Sequence, residues 1–295
     1  MILVTGCTGF VGSSLIPHLL KAGKSVRGFA RHPLVRKDPA FPDIDIHPGS
    51  VLNPDQLHAA MEGVTQVIHL VGILFEPKGL TFDKVHRQGT LNVIEAAQKA
   101  GVKRYLQMSS LGTRAGAASR YHQSKWLAEE AVRESGLDYT IFRPSVIFGP
   151  YDDFANQFAK LARLSPAVPI LGDGKGRMQP VWVEDVTRFV CHTLEAPETI
   201  GRTIELGGPD QLTFSQIMDA ILKAMGKRRL RLRLPFSILN LEAAIVERIL
   251  QKPPITQDQV IMAQEDNICG QTPPWNDFNM IPRGFADGIR DYLGP

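Results

Sequence analysis

Tyr121 and Lys125 stand four residues apart in Tyr121-His122-Gln123-Ser124-Lys125, with Ser109 and Ser110 upstream at the end of a strand-like segment. A helix puts residues i and i+4 on one face, so a phenol and an ammonium would lie side by side. A free tyrosine titrates near pH ~10, and a nearby cation favours its phenolate, which makes the phenol a usable acid or base. A serine hydroxyl could hold a substrate oxygen while tyrosine exchanges a proton and a nicotinamide exchanges hydride. Tyr/Lys pairs at this spacing are common on helices. The pair gains meaning from a second feature, the turn Thr5-Gly6-Cys7-Thr8-Gly9-Phe10-Val11-Gly12, which follows the apolar run Ile2-Leu3-Val4.

In that turn Gly6 would allow the tight bend, Gly9 the approach of the backbone to a pyrophosphate, and Gly12 close helix packing on the strand. Thr8, Phe10 and Val11 complete the cradle, and free N–H groups at the start of the helix would hold the phosphates. The end of the second strand reads Gly28-Phe29-Ala30-Arg31-His32, with no carboxylate before Asp38. An acidic residue there would accept from a ribose 2'-hydroxyl, whereas the Arg31 guanidinium suits a 2'-phosphate. NADP(H) is therefore expected over NAD(H).

These residues require a particular scaffold. Strands are expected at 2–5, 25–29, 44–47, 66–71, 104–108 and 139–142, with helices at 10–21, 54–61, 82–100 and 119–134 between them. This alternation predicts an α/β fold, a Rossmann-type doubly wound parallel sheet, whose ligands bind at the carboxyl ends of the strands. After Pro144 prolines and the Gly172-Asp173-Gly174-Lys175-Gly176 turn break the rhythm, and a helix at 213–225, a strand at 229–234 and a helix at 236–250 follow. The expected division is a dinucleotide-binding core over 1–150, with later segments returning to it, and a smaller α/β lobe over 151–295.

The chain has 295 residues, with 33 basic and 30 acidic side chains giving a net charge of +3. That is too little to argue for nucleic-acid binding. Cys7, Cys191 and Cys269 form neither a metal-type pair nor an even-numbered disulfide framework, and the histidines show no ligand spacing, so no metal is expected. Residues 1–4 already read as the first strand rather than a signal-peptide core, and no stretch approaches the ~18 apolar residues of a membrane span. The expectation is a cytoplasmic protein, with docking on the inner face of a membrane left open. Along 229–234 arginine and leucine alternate, predicting a strand with a basic solvated face and a buried apolar one. Three aligned arginines beside the apolar helix at 236–250 could also meet anionic lipid or a partner.

Together TGCTGFVG, MSSLG, YHQSK and FRPSVIFGP resemble the extended or atypical short-chain dehydrogenase/reductases. RPSVIFGPYDDFANQFAKLARLSP, QPVWVEDV and PPITQDQVIMAQEDN are similar to the branch that holds the nucleotide-binding accessory subunit of respiratory complex I and its bacterial relatives. The resemblance implies Tyr121 as general acid/base, Lys125 as its partner and a ligand of the nicotinamide ribose, and Ser110 as the catalytic serine. It places Ser109 and the stretch from Pro144 to Ile147 beside the nicotinamide. Leu70, Val71 and Gly72 would line the adenosine half, and Ser50 and Val51 stand where the family often has an acidic adenine contact. An asparagine common in the following long helix is replaced around His86, and the usual asparagine-rich end of the fourth strand reads His69-Leu70-Val71-Gly72. Two functions follow. One is an NADP(H)-dependent oxidoreductase or epimerase-like enzyme acting on an alcohol, carbonyl or quinone-like substrate. The other is a non-catalytic NADPH-holding subunit of a respiratory or quinone-related complex.

Overall fold

A computed structural model describes residues 1–32, 41–250 and 253–294. The chain divides into two compact units: residues 1–143 with 186–204, and residues 144–185 with 205–295. Asp38 lies outside the described residues.

The first unit opens with β1 (Ile2–Thr5), α1 (Phe10–Lys21), β2 (Val26–Ala30), β3 (Asp45–Pro48), α2 (Pro54–Ala60) and β4 (Gln66–His69). A π-helical stretch, Asp83–Gln88, leads into α3 (Gly89–Lys99), followed by β5 (Arg104–Met108), α4 (Arg120–Arg133) and β6 (Asp138–Pro144). Next in sequence are β7 (Ile147–Phe148), α5 (Ala155–Leu164), β8 (Ala167–Leu171), β9 (Arg177–Met178), β10 (Val181–Trp182), α6 (Val183–Thr193) and β11 (Arg202–Leu206). The chain closes with β12 (Leu212–Thr213), α7 (Phe214–Ala224), β13 (Leu230–Leu234), α8 (Phe236–Ile249), α9 (Gln257–Met262) and α10 (Phe285–Leu293).

The main sheet has seven strands in the order β11-β6-β5-β4-β1-β2-β3. From β3 across to β6 every neighbouring pair is parallel, so all of these strands end on the same edge. The order reverses beside β1, with β2 on one side and β4 on the other, which opens the crevice where such sheets take their ligands. All residues of β1 and β5 are buried, as expected of central strands covered on both faces. Leu3, Phe29, Leu57, Val67, Val93 and Tyr105 belong to one apolar core that also takes in residues of α2, α3 and α4. Local signals start the helices: Asn53 caps α2 ahead of Pro54, and the Ser119 hydroxyl accepts from the His122 N–H at the start of α4.

In the second unit α5, α7 and α10 share a core with β8, Phe148 and Trp182. A Thr213/Gln216 capping box begins α7. Among the described residues β13 pairs with β8 alone, in parallel. Here the expected burial of the leucine face is overturned: Leu230 and Leu232 are 70% and 54% exposed. Arg231 and Arg233 are in register with the buried Val168 and Ile170, on the side where α5 and α7 pack. Leu230 and Leu232 pair with Ala167 and Pro169; the next pair along, Leu234 with Leu171, packs against α8, and Leu230 to Arg233 are all exposed.

Candidate functional site

At the end of β1 the chain turns through Gly6, whose φ of +75° is left-handed backbone. Gly9 closes the turn by donating its N–H to the Gly6 carbonyl. A side chain at Gly12 would place its Cβ 2.3 Å from that carbonyl, so the first turn of α1 packs against β1 only because Gly12 has none. The helix starts with no side-chain cap and no acidic residue in its first turn. Its leading N–H groups, from Phe10 and Val11 onward, therefore lack intrahelical acceptors and sit at the positive end of a 12-residue helix. An anion fits this cradle, so the site can hold a pyrophosphate.

The neighbouring strand ends border the same turn. β4 stops at His69, two residues earlier than expected, which leaves Leu70, Val71 and Gly72 in the loop beyond it. A Cβ on Gly6 would lie 3.3 Å from the backbone of Leu70 and Val71, which puts this loop directly against the turn. Arg31 follows β2 as an exposed side chain in no ion pair among the described residues. Ser50 is held in a turn: its N–H donates to Gln56 and its hydroxyl accepts from the Leu52 N–H. Val51 points into the core, where it packs against Gly89.

Tyr121 and Lys125 both lie in α4 and both are buried. Lys125 donates from Nζ to the Met108 carbonyl at 3.1 Å, which ties the helix to the end of β5. A Cβ at Gly72 would come within 3.1 Å of the same ammonium, so the glycine makes room for it. Burial lowers the Lys125 pKa to about 8, and Glu129 opposes that shift.

The Tyr121 ring packs edge-on to His86 at 5.3 Å and to Phe82 at 5.7 Å. His86 accepts at Nε2 from the Ile73 N–H, so its proton resides on Nδ1 and is donated to Ser124 Oγ at 2.8 Å. Ser124 in turn donates to the Tyr121 carbonyl. Burial, then the charge of Lys125, push the His86 pKa down to about 2, and the same two causes push His69 to about 3. Both imidazoles are neutral. His86 belongs to the π-helical stretch, an irregularity common at functional sites.

The two serines part ways. Ser109 is buried and donates to Glu129 at 2.6 Å. Glu129, fully buried, also pairs with Arg133 and Arg143 at 2.6 Å each. Ser110 is partly exposed, and its hydroxyl donates to its neighbour's carbonyl, that of Leu111, at 3.3 Å. The Glu129 cluster and the His86–Ser124–Tyr121 chain were not legible as such in the sequence. An i,i+4 Glu129/Arg133 pair was the one local signal for the first, and the departure at His86 for the second.

Pro144 begins the second unit and Ile147 opens β7 within it. In that unit Arg177 is held by both oxygens of Asp266, through its N–H and its guanidinium. Gln179 bridges the Gly208 carbonyl and the Cys269 N–H.

Residues 2–207 match the NAD dependent epimerase/dehydratase family, more than two thirds of the chain. The chain belongs to this family. It is 30% identical over 260 residues to NADH dehydrogenase [ubiquinone] 1 alpha subcomplex subunit 9 of Arabidopsis thaliana, which covers 85% of this chain and 64% of that protein. It thus spans less than two thirds of that relative. Ceramide reductase of Caulobacter vibrioides is also 30% identical, over 84% of this chain and 77% of its own length. Among solved structures, the Thermus thermophilus UDP-glucose 4-epimerase complex with NAD matches with a TM-score of 0.77 at 20% identity, covering 99% of this chain and 97% of that one. That likeness concerns the fold. Membership of an NAD dependent family, together with the glycine cradle, supports the binding of a nicotinamide dinucleotide. No helix among the described residues is long and apolar enough to cross a membrane.

Proposed function

We propose that the protein is an NADP(H)-dependent oxidoreductase that interconverts an alcohol and a carbonyl. The observation that carries this reading is the buried Tyr121/Lys125 pair, with the ammonium fixed between the Met108 carbonyl and Gly72. When bound, the nicotinamide supplies or accepts the hydride. Tyr121 gives its phenolic proton to the carbonyl oxygen as the alcohol forms, and takes it back in the reverse direction. Lys125 stabilises the phenolate left behind. Ser110 holds the substrate oxygen with its hydroxyl. Ser109, committed to Glu129, shapes the end of β5 and contributes there through its backbone.

The 2'-phosphate falls to Arg31, whose guanidinium is exposed and without an acidic partner among the described residues. Leu70, Val71 and Gly72 border the dinucleotide along the β4 end, while Ser50 and Val51 stand beyond β3. Relatives that act on ceramides and on a 3 beta-hydroxysteroid suggest an apolar substrate carrying one oxidisable position.

A second reading is favoured by the complex I relatives: a subunit that holds NADPH without turning it over. The two separate on purified protein given NADPH and a panel of apolar ketones and quinones. Turnover that falls about 100-fold or more in Tyr121→Phe, with NADPH affinity kept, supports the enzyme. Tight NADPH binding with no oxidation of the cofactor by any of the panel favours the subunit.

A further inference from the structure

We propose that β13 and α8 form a docking surface for an anionic lipid membrane. The inference rests on the second unit alone and stands whether or not the protein turns over a substrate.

α8 is apolar on two sides. Leu239 and Ala243 are buried against Val260, Leu171 and Leu234. Ile238, Leu241, Ile245 and Ile249 recur at helical spacing on a different face, and all four are exposed, Leu241 by 65% and Ile249 by 73%. Leu230 and Leu232 of β13 add two more exposed aliphatic side chains. A soluble chain ordinarily scatters exposed aliphatic residues singly, so six within one strand-helix unit mark an interaction site.

The charge around them identifies the occupant. Residues 227–250 hold six basic side chains and two acidic ones, a net +4, whereas the whole chain is +3. The rest of the protein therefore sums to −1, and its positive charge is concentrated beside this apolar face. Arg228, Arg233 and Arg248 enter no ion pair among the described residues, while Arg231 is paired with Asp219 at 2.6 Å. At the free edge of β13 an open depression of about 590 Å³ is lined by Arg231, Arg233, Leu232, Leu234, Ile170 and Ser215. Cationic and aliphatic side chains in one wall suit a phosphate-bearing headgroup with its acyl chains. A second copy would bring +4 against +4. Nucleic acid would leave the leucines and isoleucines in water.

The test is flotation of the full chain with phosphatidylcholine vesicles, either pure or containing about a third phosphatidylglycerol. The protein should float with the anionic vesicles, remain behind with the neutral ones, and be released as salt rises from about 0.05 M to about 0.5 M. The double variant Arg228→Gln/Arg233→Gln should lose roughly 25-fold in partitioning, about five-fold for each basic residue. Leu241→Gln/Ile245→Gln should lose about ten-fold while keeping its salt dependence. All four positions are exposed, and unchanged thermal unfolding would show that the variants fold. Equal recovery with neutral and anionic vesicles, or none with either, overturns the proposal. So does a concentration-dependent dimer, abolished by Leu241→Gln/Ile245→Gln, in protein that ignores vesicles; that outcome would assign the face to a second copy.

Discussion

Lys125 shows how function can oppose stability at a single residue. Its pKa of about 8 lies below the ordinary 10.5, so between these values the unfolded chain holds a proton that the folded chain has released. Stability from this group is then complete above pH 10.5 and is lost as pH falls toward 8. Lys125→Met should therefore gain on the wild type at pH 7 relative to pH 10, by roughly 2 to 3 kcal/mol, as read from denaturant unfolding at both pH values. Turnover should fall in the same variant. A gap independent of pH would show that the ammonium is not held in a low-dielectric site. Arg31 offers a cleaner assay, because it is exposed and its change should not touch the fold. Arg31→Asp should reverse the preference between NADPH and NADH, and an unchanged ratio of the two affinities would remove the 2'-phosphate contact.

Among the elements, the junction of β1 and α1 has no slack. Gly12→Ala would drive a Cβ into the Gly6 carbonyl, and since the obstacle is backbone, α1 must shift away from β1. The expected result is a loss of about 3 kcal/mol or more by thermal unfolding, with dinucleotide affinity lost in the protein that still folds. Glu129 fastens α4 to β6 through Arg143 and to Ser109 beyond β5. Glu129→Ala should cost about 3 kcal/mol or more, because it strands the partly buried guanidinium of Arg143 and the hydroxyl of Ser109 without their acceptor. Denaturant titration checks this, and a loss under 1 kcal/mol would mean that water takes over both contacts.

For the molecule as a whole, the two buried neutral histidines set a limit on the acid side. Unfolding lets His69 and His86 take up protons at pH values below about 6.5, whereas the folded state refuses them down to about 3 and about 2. Stability should drop as pH falls through that window, by up to about 1.4 kcal/mol per pH unit for each histidine. His86→Asn should reduce the slope, measured as denaturant midpoints from pH 7 to pH 4. Much of this architecture was legible beforehand. β1, α1 and β5 fall where hydrophobic runs and periodicity put them, because each is specified by its own residues. The helix expected over 82–100 is present but begins as a π-helical stretch, where His86 is bonded to residues 13 and 38 positions away. The alternation over 229–234 made a strand, yet Leu230 to Arg233 are exposed on both of its sides, and only Leu234 joins a core, the one supplied by α8 and its neighbours. The sequence by itself thus determined the sheet, the glycine turn after β1 and the shared helix of Tyr121 and Lys125, since local period and glycine sterics suffice for these. Only the tertiary structure decided that Ser109 turns to Glu129, that Lys125 is buried against Met108, and that the leucines of β13 lie open along with its arginines. Those outcomes depend on neighbours far away along the chain, and periodicity carries no record of them.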